Sequence, residues 1–212
     1  MQLGPNVHAA LVDGDLIFLD AARDHYSCVT RSDAATIIAE LETIGRASDP
    51  TGVVHELSEA GLLVDGGGSG LRPASPDPAR IDFHDLASTE LPITALTVAK
   101  LTASVLEAAV KIRAKPAKWL SARSQLGDAA SCRAATVALQ FERLRPCIPR
   151  SGRCLPSSLM LLGFLRRHGV AAQIVVGVRT FPFEAHCWVQ HKGVVLNDTV
   201  EHVGWYVPIA VA

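Results

Sequence analysis

The sequence lacks most of what would place it on nucleic acid, in a membrane or around a metal ion. Lysine and arginine (20) almost cancel aspartate and glutamate (21), leaving a formal net charge of −1 and a pI near 6.7. A general nucleic-acid binder needs a basic excess or stripe to neutralise phosphate, so DNA or RNA is disfavoured as principal partner. Long uncharged apolar runs are missing too, since the most hydrophobic stretch, Ile93 to Val110, is broken by Lys100 and Glu107. A membrane span needs about 20 apolar residues, so this stretch reads as a buried or amphipathic helix. Met1-Gln2-Leu3-Gly4-Pro5 holds no basic cluster leading into an apolar run, which gives no sign of a secretory signal. The five cysteines are odd in number and irregularly spaced. They suggest free thiols in a reducing cytoplasm. Cys147, Cys154, His186 and Cys187 are the candidates for zinc, but without a close CxxC or HxxxH pair no metal site is assigned. Cys28, Cys132 and Cys147 read as buried small hydrophobes, and His168 and His191 as surface or capping residues.

What is present is core-forming material: 49% of the 212 residues are hydrophobic, enough for one large domain or two small ones. The first part alternates as strands do. Val7 to Val12 and Leu16 to Leu19 flank Asp13-Gly14, a hairpin signal because both turn positions want positive φ, and His25 to Val29 reads as a third strand after a turn at Asp20 to Asp24. The period then becomes helical. Ala34, Ile37, Ile38, Leu41 and Ile44 line one face of a helix opening near Ser32-Asp33 and closing at Gly45, and Thr51 to Ala60 forms another. Leu62-Leu63-Val64 returns to the core. Residues 1–65 are thus a compact α+β unit, which either caps the second domain or offers the free edge of its third strand to an extended peptide. Gly66-Gly67-Gly68-Ser69-Gly70, with Pro73, Pro76 and Pro78, makes residues 66–85 a linker, passive or able to present a tethered substrate to the second domain, residues 86–212.

That domain opens with a helix marked by Leu96, Leu101, Leu106 and Val110, a short connector at Trp119-Leu120, and a second helix from Ala129 to Arg143. Cys154 follows Gly152 and opens an apolar periodic run closed by Gly169. At a helix N-terminus the free backbone N–H groups and the dipole favour a thiolate, and the same N–H groups are candidate oxyanion donors. Ala172 to Arg179, Ala185 to Gln190 and Val194 to Leu196 read as strands, with a turn at Lys192-Gly193, and Gly204 to Val211 adds a strand or covers the site. A hairpin about that turn can bring His186 beside Asp198. A helix-borne Cys154 facing a strand-borne His186 with Asp198 beyond it is a nucleophile, its base and the base's orienter. Each alone has a plainer reading, as filler, core histidine or turn residue.

Cys154-Leu155-Pro156-Ser157-Ser158-Leu159, Leu165 to Val170, Val176 to Arg179, Pro182-Phe183-Glu184-Ala185-His186-Cys187-Trp188-Val189 and Asn197-Asp198 resemble the lasso-peptide B proteins. These are leader peptidases on a transglutaminase-like, papain-related core. The resemblance implies that Cys154, His186 and Asp198 form the catalytic triad; Cys187 departs from it where a small residue such as Ala is expected. Leu16 to Leu19, Tyr26 to Val29 and Glu59 to Leu63 are similar to the RiPP recognition element, the winged-helix-like leader-binding domain fused ahead of the peptidase in some of these proteins. On that reading His25, Tyr26, Ser27, Cys28 and Val29, with Val54 and Leu57, line a leader groove. A winged helix also suggests DNA binding, but the exposed candidates on its helix are His55, Glu56 and Glu59, and the two acidic ones would repel phosphate. The expectation is therefore an α+β protein with a winged-helix-like recognition element linked to a papain/transglutaminase-like cysteine peptidase. It cuts the leader from a precursor peptide in the cytoplasm, without a cofactor, and hands the core to an asparagine-synthetase-like lasso cyclase. An acyltransferase on the same fold and a non-catalytic leader-binding scaffold are the alternatives.

Overall fold

Two sheets and the helices between them position the site. The computed structural model describes residues 1–42, 52–66, 74–87, 91–113, 129–148 and 153–212. Near the N-terminus β1 (Gln2–Leu3) pairs antiparallel with β5 (Leu63–Val64). Between them β2 (Val7–Val12), β3 (Asp15–Asp20) and β4 (His25–Val29) form an antiparallel sheet in the order β2-β3-β4, followed by α1 (Arg31–Glu42) and α2 (Val53–Glu59). The β2–β3 hairpin turns on Asp13 and Gly14 with φ of 52° and 95°, the twist that matches the flanking strands. The expected helix end at Gly45 and the connector at Trp119-Leu120 lie outside the described residues.

The three-stranded sheet is covered on both faces. Leu16, Phe18 and Val29 pack with Ile37, Leu41 and Leu57 of the two helices. Ala10, Val12, Ile17 and Leu19 point the other way and join the core of the second half, with Phe141, Leu159, Ile174 and Val189. Ile17 and Leu19 are almost wholly buried, a gain of about 1.5–3 kcal/mol each relative to exposure. Thr180 Oγ1 donates to Asp13 Oδ2 at 2.6 Å, and the Tyr26 and Phe183 rings meet edge to face at 5.5 Å. The unit read as tethered is seated on its neighbour.

The stretch assigned to the linker departs from that reading from Ile81 onward. β6 (Ile81–Asp82) and α3 (Phe83–Leu86) lie within it, and β6 runs parallel to β9 (Val194–Val195) at the edge of the second sheet. The pairing is tertiary: Arg80 N donates to Gly193 O at 2.9 Å, and Gln190 Nε2 reaches back to Asp77 O at 2.8 Å. β7 (Gln173–Arg179), β8 (Glu184–His191) and β10 (Val207–Val211) complete that sheet, ordered β10-β7-β8-β9-β6. α4 (Ala95–Arg113), α5 (Ser131–Leu144) and α6 (Cys154–Arg167) complete the set of longer helices described here.

Of the four apolar residues that mark α4, Leu101 alone is buried. Leu96, Leu106 and Val110 are 64–67% exposed, while Thr97, Leu101, Ser104 and Ala108 are buried. α6 meets this face closely, since a Cβ on Gly163 would touch Ser104 Cβ at 3.4 Å; Ser104 satisfies its hydroxyl on Lys100 O at 2.7 Å. Glu107 then bonds Arg166 at 2.5 Å, Arg167 at 2.8 Å and Lys111 at 3.0 Å. Two further expectations are corrected. Cys28, Cys132 and Cys147 are exposed, because the buried turns around them are filled by larger neighbours such as Val29, Val137 and Ile148. His191 is fully buried, its Nδ1 facing Ala171 O at 2.7 Å and its Nε2 facing Ala129 O at 3.0 Å, so distant carbonyls hold the ring in the core. His168 does cap α6.

Candidate active site

Cys154 is the first residue of α6, entered from an extended Arg153. The first intrahelical bond runs from Ser157 N to Arg153 O, so the N–H groups of Cys154 and Leu155 lie ahead of it at the positive end of the helix. His186 stands near the start of β8, opposite Gly177 of β7. Asp198 follows β9 after the chain reverses at Lys192 and Gly193, whose φ values are 47° and 80°. The reversal brings His186 Nε2 to 2.6 Å from Asp198 Oδ2, with both side chains about 15% exposed. That leaves Nδ1 for the sulfur.

Between helix and sheet a small polar bridge fixes the register. Ser158 Oγ donates to Cys187 O at 3.2 Å, Asn197 Nδ2 donates to Ser158 Oγ at 2.9 Å, and Val189 N donates to Asn197 Oδ1 at 2.7 Å. α6, β8 and the residue before Asp198 are thus locked together one turn below Cys154. On the far side of His186, Trp188 lies stacked at 6.1 Å and Tyr206 at 5.1 Å. Gly177 is required there: a Cβ would come within 2.8 Å of Tyr206 Cβ and 2.9 Å of the Trp188 ring.

The electrostatics follow from these contacts. The Cys187 thiol, the His186 ring and the Cys187 backbone all hydrogen-bond the Cys154 sulfur; with the His186 charge they outweigh burial and bring its pKa from 9.0 down to about 4. The S–H group is a weak donor, so the imidazole is physically the stronger of the two side-chain partners. The bond to Cys154, and then burial, push the Cys187 thiol well up. Burial pulls His186 down, but its bonds to Asp198 and Cys154 and their charges prevail and raise it to about 9. Burial raises Asp198, yet His186, the Thr199 N–H and His202 hold it below its usual value. Between roughly pH 4 and pH 9 the pair is a thiolate beside an imidazolium, titrating as a coupled unit.

The residues read as leader-binding divide between two places. β4 is an edge strand, and among the described residues its outer side pairs with no other strand. Val29, Val54 and Leu57 belong to the apolar cluster under α1 and α2, whereas His25 and Cys28 are exposed and Ser27 is half-buried. Tyr26 turns toward the second core, against Phe183 and three residues from His186 in the chain beyond. Burial first, then the charges of Asp24, Cys187 and Cys154, lift its hydroxyl to about 12, so it sits within electrostatic reach of the thiol.

One residue at the centre escaped the sequence reading. His202, in the short helix α7 (Val200–Val203), brings Nδ1 to 2.8 Å from Asp198 Oδ1, four residues away. The i,i+4 spacing from Asp198 was the available signal. His186, Asp198 and His202 offer ligand atoms within 4.8 Å of one another, the one such group found among the described residues that could hold a metal ion. The same atoms already satisfy each other as hydrogen-bond partners.

Among the described residues no helix is long and apolar enough to cross a membrane. No solved structure matches the chain. The microcin J25-processing protein McjB of Escherichia coli is 44% identical over 45 residues, which make up 21% of this chain and 22% of that protein. The chain therefore aligns with only about a fifth of that relative. Residues 94–211 match the transglutaminase-like superfamily, more than half of the sequence. A match that begins at the head of α4 and ends in β10 takes in every element that carries the thiol, the imidazole and the carboxylate, and by that measure the chain belongs to the transglutaminase-like superfamily.

Proposed function

We propose that the protein is a cytoplasmic cysteine endopeptidase that binds the leader of a lasso-peptide precursor and cuts it from the core peptide. A partner cyclase of the asparagine-synthetase type then closes the macrolactam. What supports the reading is the 2.6 Å contact of His186 Nε2 with Asp198 Oδ2, together with a Cys154 at the head of α6 whose pKa is lowered, and a His186 whose pKa is raised, in part by their bond to each other. The resemblance of the last sixty residues to lasso B proteins supports the substrate, as does a similarity to a protein named for processing microcin J25.

Cys154 Sγ attacks the scissile carbonyl carbon, and the N–H groups at the start of α6 receive the developing oxyanion. As the tetrahedral intermediate collapses, the C–N bond breaks and His186 delivers its Nδ1 proton to the leaving amine, leaving a thioester on Cys154. The now neutral His186 takes a proton from water. The resulting hydroxide equivalent attacks the thioester, and the thiolate departs to re-form the ion pair. Asp198 keeps the ring oriented throughout. In this reading residues 1–65 are a winged-helix-like RiPP recognition element and 86–212 the peptidase, with β6 of the stretch between them docked on the peptidase sheet. The free edge of β4 takes the leader as an added strand, by its main chain, with Val29, Val54 and Leu57 shaping the floor.

Incubating the full-length protein with a precursor peptide and weighing the products tests the proposal. Leader and core fragments are expected from the wild type and none from Cys154→Ala, which keeps its leader affinity. Full turnover by that variant sinks the mechanism. The superfamily also favours acyl transfer as a second reading, so the reaction is repeated with an added amine; a product heavier by that amine, in place of the free acid, decides for transfer.

A further inference from the structure

Asp198 is held from two sides, and only one of them belongs to the triad. A carboxylate turns about a broad, twofold terminal torsion, so a single contact at Oδ2 does not fix its plane. Here Oδ1 accepts from Thr199 N at 2.8 Å and faces His202 Nδ1 at 2.8 Å, while Oδ2 faces His186 Nε2 at 2.6 Å. Because a carboxylate only accepts, the proton on this side of His202 is carried by Nδ1.

His202 is itself firmly placed. Its backbone N–H donates to Thr199 Oγ1 at 3.2 Å, capping the turn that delivers the ring. The ring lies edge-on to Trp205 at 5.1 Å and to Tyr206 at 5.5 Å, and tilts against His186 at 4.9 Å. About two thirds of its side chain is covered. Trp205, more than half exposed itself, packs against His202 and under the Arg179 guanidinium, which lies 5.7 Å from its ring centroid.

We infer that His202 is a positioning residue for the proposed peptidase, a fourth member behind the triad that fixes the carboxylate plane and so aims His186 at the sulfur. It touches neither substrate nor thiol and acts through Asp198. The inference rests on the proposed cysteine chemistry, and the following experiment separates the two.

His202→Leu keeps bulk and removes the donor. His202→Asn places an amide N–H where Nδ1 was, and His202→Gln places one further out, near the Nε2 position. With a short peptide spanning the cut, misaiming the base should lower kcat about ten- to a hundredfold in the Leu and Gln variants, with KM within about twofold. The Asn variant should stay within about threefold of wild type in both constants. Wild-type kcat in His202→Leu overturns the inference, as does an Asn variant no better than Gln. Should the Leu variant fail to fold, the Asn and Gln pair decides alone. If the wild type cleaves no peptide, the peptidase reading fails by itself. His202 is then judged by NMR titration of the His186 ring: its midpoint near 9 should move by at least about half a unit in the Leu and Gln variants but not in Asn, and equal midpoints in all four proteins overturn the role.

Discussion

Replacing His186 by Asn should move the titration of Cys154 and leave its reactivity near pH 5.5 almost unchanged. The thiol stands at about 4 because the Cys187 thiol, the His186 ring, the Cys187 backbone and the ring's charge favour the thiolate. Asn removes the ring's bond and its charge together. An opposite charge at this range lowers an acid by about 1–3 units, so the midpoint should climb by about 2–3 units. At pH 5.5 the thiolate fraction would then fall from nearly all to about a tenth. Nucleophilicity rises with basicity, however, with a slope of about 0.4–0.5, which returns roughly a tenfold gain per thiolate. The two effects cancel, and a rate measured at one pH would mislead. The assay is therefore a full pH profile of alkylation by iodoacetamide. Because Cys28, Cys132 and Cys147 are exposed as well, the label must be followed at Cys154 by peptide mass spectrometry. A variant midpoint within half a unit of wild type would refute the ion-pair account and hand the depressed pKa to Cys187 and the helix end.

Cys187→Ala, the residue the family resemblance expects, should raise the same midpoint by less than about one unit because S–H is a weak donor; a larger rise would make the second thiol the dominant partner. Gly177→Ala pushes a methyl to 2.8 Å from Tyr206 Cβ and 2.9 Å from Trp188, so urea melts should show a loss of about 1–3 kcal/mol and cleavage should fall with it. An unchanged melt would mean the sheet yields more easily than the contacts indicate. Burial works against Glu107, but Arg166, Arg167 and Lys111 bring it from 4.5 down to about 2. A depressed carboxylate stabilises the fold above its unfolded pKa and ceases to do so as pH falls through the folded one. Glu107→Gln should therefore cost about 1–2 kcal/mol at pH 7, after allowing for solvent screening, and the gap to wild type should close between pH 5 and pH 2. A gap that persists at pH 2 would assign the loss to packing.

The sequence announced the parts whose cause is local. Asp13-Gly14 and Lys192-Gly193 turn as their chemistry requires, and the run from Leu155 to Leu165 forms the buried helix its period describes. His186 and Asp198 meet as the hairpin about Lys192-Gly193 suggested, because a tight reversal is itself a local event. Tertiary causes stayed hidden. α4 turns Leu96, Leu106 and Val110 outward and Thr97, Leu101, Ser104 and Ala108 inward, an orientation set by its packing against α6. Ile81-Asp82 reads as linker until Val194-Val195 lies alongside. His191 looks like a surface residue until two distant carbonyls close on its ring, and His202 lies in a four-residue helix too short to leave a period.

The double coverage of the β2-β3-β4 sheet has a consequence for how the protein can be divided. Cut between residues 65 and 86, each piece would carry one half of a matched apolar seam: Ala10, Val12, Ile17 and Leu19 on the smaller, and the surface around Ile209 and Ala210 on the larger. Two such fragments made separately would aggregate or cling to chaperones, yet mixed they would find each other and restore the parent assembly, because the seam, and not the peptide connecting its sides, carries the information for their union.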